Sequence, residues 1–214
     1  MTRTLFIYEA GTRKRKIKGN AMKTRQKQLR MLVLGLMLLL CSGCATSSGN
    51  TYKNSLMNFG SVQSVAVLPF QNLTADDDAA ERVRDTFMGM LLATEAIYVL
   101  PPGEVERGIE RAGIRKPTMP SGEKIKSLGQ ILKVDAVITG VLREYGQVRS
   151  GQTQANLISL SLQMMEVETG SIVWSAAATK GGIGMTDRLF GGGGAPMNEV
   201  TKEAINDLLD QLFK

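Results

Sequence analysis

Few residues in this chain could do chemistry. Its 214 residues include no histidine and two cysteines, Cys41 and Cys44. Without imidazole there is no Ser-His-Asp or Cys-His nucleophile site, no histidine metal ligand and no histidine pH switch. The cysteines lie three apart at the end of an apolar run and none follows, so the body of the chain has neither a disulfide nor a thiolate zinc site. Asp76-Asp77-Asp78 could offer oxygen ligands to a divalent cation. Three successive carboxylates diverge, however, and no EF-hand spacing surrounds them, so a solvated helix cap is the better reading. Asp135 and Glu144 could form an acid–base pair, but nine positions along a regular strand put them on opposite faces. The glycine runs at 181–184 and 191–194 lack the Lys-Ser or Lys-Thr of a phosphate loop. Trp174, the single tryptophan, lies in an apolar strand pattern that reads as core. No catalytic residue, cofactor or metal is expected, and the chain reads as a non-enzyme.

Cys44 is the exception, because of what precedes it. Residues 1–43 hold ten lysines and arginines against one acid, Glu9, a net +9; the rest of the chain holds 16 basic and 19 acidic groups, a net −3. The formal charge of +6 is therefore a property of the leader, and the body has no basic patch with interleaved aromatics to suggest nucleic acid. A basic segment, the apolar run Met31–Leu40 and then small residues form the tripartite pattern of an export signal. That run is short of the roughly 20 residues a bilayer-spanning helix needs. Leu40, Cys41, Ser42 and Gly43 before Cys44 resemble a bacterial lipobox, with Cys41 in the place usually held by leucine. The resemblance implies cleavage by a lipoprotein signal peptidase, acylation of Cys44 (palmitate among its chains), and, with Ala45 rather than Asp next, sorting to the outer membrane. Translation from Met22 would give a leader of ordinary length. The expected organisation is thus a signal peptide at 1–43, a lipidated N-terminus and short tether at 44–60, and one α/β domain at 61–214.

The elements that follow alternate in type. Ser64–Phe70 is a short buried-strand pattern closed by Pro69. Ala80, Val83, Phe87, Met90, Leu91 and Thr94 fit a helical stripe, with Asp77 or Asp78 placed to cap it. A strand at Ile97–Leu100, a helix at Glu104–Gly113, and a helix capped by Ser121 and carrying Ile125, Leu128, Ile131 and Leu132 come next. Val134–Tyr145 reads as a strand. Asn156–Val167 alternates with a period of two and, through the turn at Glu168-Thr169-Gly170, pairs with Ser171–Ala178 as a hairpin. After the glycine-rich stretch, Pro196 opens a helix with Val200, Ala204, Ile205, Leu208, Leu209 and Leu212 in register. The order β-α-β-α-α-β-β-β-α predicts an α/β fold, a mixed β-sheet with helices packed on it.

Three segments carry a family resemblance. Val65-Ala66-Val67-Leu68-Pro69-Phe70-Gln71-Asn72, Asp135-Ala136-Val137-Ile138-Thr139-Gly140 and Glu168-Thr169-Gly170-Ser171-Ile172-Val173-Trp174 resemble the opening strand, central strand and late hairpin of CsgG-like envelope lipoproteins. That group includes the curli-secretion channel and activators of penicillin-binding proteins, and its core is similar to the N-terminal domain of TolB. The resemblance implies a lipid-anchored outer-membrane protein facing the periplasm, acting through envelope-protein partners in assembly or secretion. The sheet edge or the glycine loop around Gly181–Gly194 would be the partner surface. The alternative is an oligomeric CsgG-type channel subunit for curli-like fibres. Against it, the link from Tyr145 to Leu157 and the stretch Thr179–Ala195 lack the length and lipid-facing alternation of barrel hairpins, whose strands need about 9–11 residues each.

Overall fold

The computed structural model describes residues 51–183 and 194–213. The expected leader, the lipidation residues Leu40, Cys41, Ser42, Gly43 and Cys44, and most of the glycine loop lie outside the described residues. The sheet is mixed, as the element order predicts. Its strands are β1 (Tyr52–Lys53), β2 (Ser64–Val67), β3 (Gln71–Asn72), β4 (Tyr98–Val99), β5 (Ala136–Ser150), β6 (Thr153–Glu166) and β7 (Ile172–Gly181). They lie side by side in the order β1-β7-β6-β5-β2-β4, with β3 continuing beside β5. The neighbours β4, β2 and β5 run parallel, while β5, β6, β7 and β1 alternate in direction.

Among the described residues, four helices cover the two faces: α1 (Ala79–Ala93), α2 (Pro102–Arg111), α3 (Gly122–Leu132) and α4 (Met197–Phe213). Alternation along β2 shows how the sheet divides them. Val65 and Val67 enter the larger core with Val83, Phe87 and Leu91 of α1 and Ala204, Ile205 and Leu208 of α4. Ala66 and Leu68 enter the smaller core with Val105 of α2 and Ile125 and Leu128 of α3. Leu160, Leu162, Met164 and Trp174 all face the α1–α4 layer and are buried. Trp174 is core, as expected, and its indole N–H donates to the Gln211 carbonyl at 3.3 Å. The α4 stripe is buried at all six predicted positions; on α1, Met88 is buried where Met90 was expected, and Met90 packs at the margin.

Three local features depart from expectation. The sheet reaches back into the stretch read as tether: β1 pairs with β7, a 3-10 turn forms at Phe59–Ser61, and Met57 and Phe59 pack on the larger core. The supposed link after Tyr145 is strand. β5 and β6 stay paired to Ser150 and Thr153 around a two-residue turn in which Gly151 has φ +60°, the sign that primed hairpin turns require. Beyond Gly146 and Leu157 this ribbon continues for four pairs with no described strand on either side, well short of a membrane-crossing hairpin. Finally, α1 has no side-chain cap from Asp78. Asp76 acts instead: its carbonyl accepts from Ala79 N–H (3.1 Å) and its Oδ1 from Asp78 N–H (3.2 Å).

Candidate functional site

The chain leaves the carboxyl end of β2 and crosses by α1, on one face, to β4. It then returns by α2 and α3, on the other face, to β5 on the far side of β2. Connections that depart to opposite faces leave a crevice at the end of the strand between them, which is where ligands bind in open α/β sheets. A cleft of about 520 Å³ lies there. Pro69 and Phe70, just past β2, meet Ala80 of α1 and Val105 and Ile109 of α2 to make its apolar part. Asp77, Glu81, Glu106 and Glu110 bring four carboxylates, and Arg84 brings a single guanidinium.

Each side chain is placed by a local cause. Pro101 and Pro102 close β4 and start α2, since proline is pre-shaped for a first helical turn. Glu106 and Glu110, four apart, therefore share one helix face. Asn72 folds the loop before α1: its amide nitrogen donates to the Asp76 (2.7 Å) and Asp77 (3.1 Å) carbonyls, and its oxygen accepts from Thr74 N–H and Oγ1 at 3.0 and 2.8 Å. The Asp76 carboxylate binds Arg82, whose guanidinium lies 5.7 Å from the Tyr145 ring centre. The hydrogen bond that Arg82 donates to Asp76, the largest influence, raises the Arg82 pKa further above its usual value.

Arg84 is different. Its side chain is 15% exposed and its nearest carboxylate, Asp85, is 3.8 Å away. Its Nε is the one buried side-chain nitrogen or oxygen without a hydrogen-bond partner among the described residues. Leaving such a group unpaired costs about 1–3 kcal/mol; the nitrogen is sealed from solvent, and it is through the rest of its side chain that Arg84 lines the cleft.

The residues weighed from sequence are not brought together. Asp77 lines the cleft while Asp76 pairs with Arg82. No group of three or more acidic, cysteine or histidine side chains among the described residues could hold a metal ion. A register shift between Leu142 and Glu144 breaks the regular alternation on which the opposite-faces argument for Asp135 and Glu144 relied. Distance separates them instead, since nine residues of strand span roughly 30 Å. Asp135 is held in structural work: its Oδ2 accepts from Gln63 N–H, Ser64 N–H and Ser64 Oγ, each at 2.9 Å. Of the loop's glycines, Gly181, Gly182 and Gly194 are described; the first two have φ +82° and +85°, and Gly182 N–H donates to the Asn156 carbonyl at 2.8 Å. Sequence reasoning missed Glu81, Arg84, Glu106 and Glu110. Only the i, i+4 spacing of the two α2 glutamates could have signalled them.

Comparison with known proteins gives a family and a fold. The family model for GNA1162-like lipoproteins matches residues 52–213. No curated protein matches the chain. Among solved structures, a PelC dodecamer from Paraburkholderia phytofirmans is similar, with 16% identity and a TM-score of 0.54 over 78% of this chain and 98% of that one. Lipoprotein GNA1162 from Neisseria meningitidis is similar with 18% identity and a TM-score of 0.52 over 70% of this chain and 97% of that one. Identities this low establish shared fold alone. The family match bears out a lipoprotein and gives no support to the CsgG-like group or to curli assembly.

Proposed function

Because the chain belongs to the GNA1162-like lipoprotein family, we propose that it is a non-enzymatic envelope lipoprotein, acylated at Cys44 and held at the outer membrane. Its periplasmic domain binds a segment of a partner protein in the cleft between α1 and α2. The observation that carries the reading is the cleft itself: a crevice at the switch point of the sheet, apolar inside, acidic at its margins and lined by one guanidinium group, that of Arg84. Such a site suits an extended peptide. A backbone carbonyl or carboxylate would take the Arg84 donor, apolar side chains would sit against Phe70 and Ile109, and basic side chains would lie near Glu106 and Glu110. Assembly of several copies belongs to the same reading, because PelC, which is similar in fold, is a dodecamer.

The test is site-resolved photocrosslinking in cells. A photoreactive residue at Ile109 should give a discrete envelope-protein adduct that a probe at Lys202, exposed on α4, does not give. Equal adducts at both positions would remove the cleft from the proposal. Mass spectrometry of the N-terminal peptide tests the anchor, and an unmodified Cys44 would end that half of the reading.

A further inference from the structure

The parallel strands define two ends. Ser64 of β2 is level with Tyr98 of β4, and Val65 with Ala136 of β5, so these amino ends form one end of the domain and the cleft occupies the other. Exposed large apolar side chains gather at the amino end. Tyr98 opens β4, Leu92 lies in the last turn of α1 just before it, Ile172 opens β7, and Phe213 closes α4. Leu56, 93% exposed, stands in the segment that carries the chain from β1 under the sheet to β2. Phe213 lines a groove between α1 and α4 together with Met90, Ala93 and Leu209, and Leu92 is exposed on the neighbouring turn of α1. An exposed leucine alone is ordinary, but a grouping at one end of a domain marks a contact.

The chain upstream indicates what is contacted. The described residues begin beside this end: β1 runs toward it, Asn54 N–H bonds the Val173 carbonyl, and Lys53 Nζ donates to the Leu212 carbonyl at 3.2 Å. Only the residues 45–51 separate Cys44 from Tyr52. That length reaches at most about 28 Å fully extended and roughly 15 Å as a flexible coil, no more than the breadth of the domain. We propose that the amino end, carrying Leu56, Leu92, Tyr98, Ile172 and Phe213, rests on the lipid surface into which Cys44 is acylated. Leucine and phenylalanine enter the headgroup boundary, while tyrosine suits the interface because its ring is apolar and its tip is wet. No described helix is long and apolar enough to cross a bilayer, so the contact is peripheral. The inference rests on the lipoprotein reading and adds an orientation: the cleft faces away from the membrane.

The test uses the full chain, purified with its acyl chains and reconstituted in phosphatidylcholine vesicles. Leu56→Cys, Leu92→Cys and, as control, Leu73→Cys each offer one free thiol for a bimane dye, since acylation and leader removal consume the native ones. All three side chains are exposed, and Leu73 follows β3 at the other end. Brominated phosphatidylcholine should quench the dye at 56 and 92 by at least about twofold, as interfacial burial requires, and leave position 73 unchanged. Equal quenching at all three positions, or none at 56 and 92, overturns the orientation even when the N-terminal peptide is acylated. An unacylated peptide overturns it together with the lipoprotein reading. Disulfide linkage of two copies through Leu56→Cys without lipid quenching would replace the membrane by a second copy of the chain.

Discussion

Asp135 illustrates how a residue with catalytic potential can be committed to architecture. Its carboxylate ties the start of β2 to the start of β5 through three hydrogen bonds to one oxygen. Burial alone would raise its pKa, but the bonds from Gln63 and Ser64 outweigh that and hold it below the ordinary 3.8. A carboxyl whose pKa falls on folding stabilises the native state above its unfolded pKa, and that stability is lost as pH falls through the folded value. Asp135→Asn should therefore lower stability at neutral pH. The residue is exposed, so screening keeps the loss near the lower end of the roughly 0.5–1.5 kcal/mol of a net hydrogen bond. Urea denaturation at pH 7 and again below pH 3 checks this: the gap between parent and variant should be full at pH 7 and shrink in acid. A gap that stayed constant would mean that the charge has no part in it.

At the scale of elements, stripes of large apolar side chains were legible and close approaches were not. The burial of α4 follows from spacing alone, and Leu208→Ala, at a fully buried position, should cost about 2–5 kcal/mol in denaturant titration. The docking of α3 depends on something subtler. A Cβ at Gly129 would lie 2.2 Å from Val167 Cγ2, so the absence of a side chain lets the helix settle on the end of β6. Gly129→Ala should destabilise by about 1–3 kcal/mol through overpacking despite its better helix propensity, and Val167→Ala in the same chain should recover part of the loss. If the double variant were merely the sum of the two, contact between them would not be the cause. Gly181 carries a stricter constraint: φ is +82° and an added Cβ would lie 2.0 Å from the Asn156 carbonyl oxygen. What sequence hid has physical reasons. β1 and β3 are two residues each, too short for any periodicity, and their pairing partners are distant in the chain. The tip of the β5–β6 ribbon carries one apolar pair, Val148 opposite Ala155, among polar residues, too little for an apolar alternation to announce it.

On the scale of the whole molecule, the candidate site exists only because of topology. Phe70, Arg84 and Glu106 are unremarkable in a sequence, one after a strand and two charged residues on helices. They converge because the chain departs from β2 to one face of the sheet and returns by the other. The fold class and the lipoprotein assignment were open to reasoning from pattern, whereas the cleft required knowing which strand lies between which. With the amino ends of the parallel strands on lipid, the cleft would stand about 20 Å above it, the rise along β5 from Ala136 to Leu142. A partner embedded in the same membrane would then need a periplasmic segment of at least that reach. The charge of the cleft gives the sharpest test of what that segment is. Glu106→Lys with Glu110→Lys turns two of the four lining carboxylates basic at exposed positions of α2, so stability should change by no more than about 0.5 kcal/mol at each. Like-charge juxtaposition suppresses association and slows encounter, and the effect weakens with salt. The adduct formed at Ile109 should accordingly fall at least about tenfold with the double variant at low ionic strength and partly recover in 0.5 M salt. An adduct unchanged by charge reversal would mean that the partner engages the apolar lining alone, and that the acidic margin is only the solvated surface of two helices.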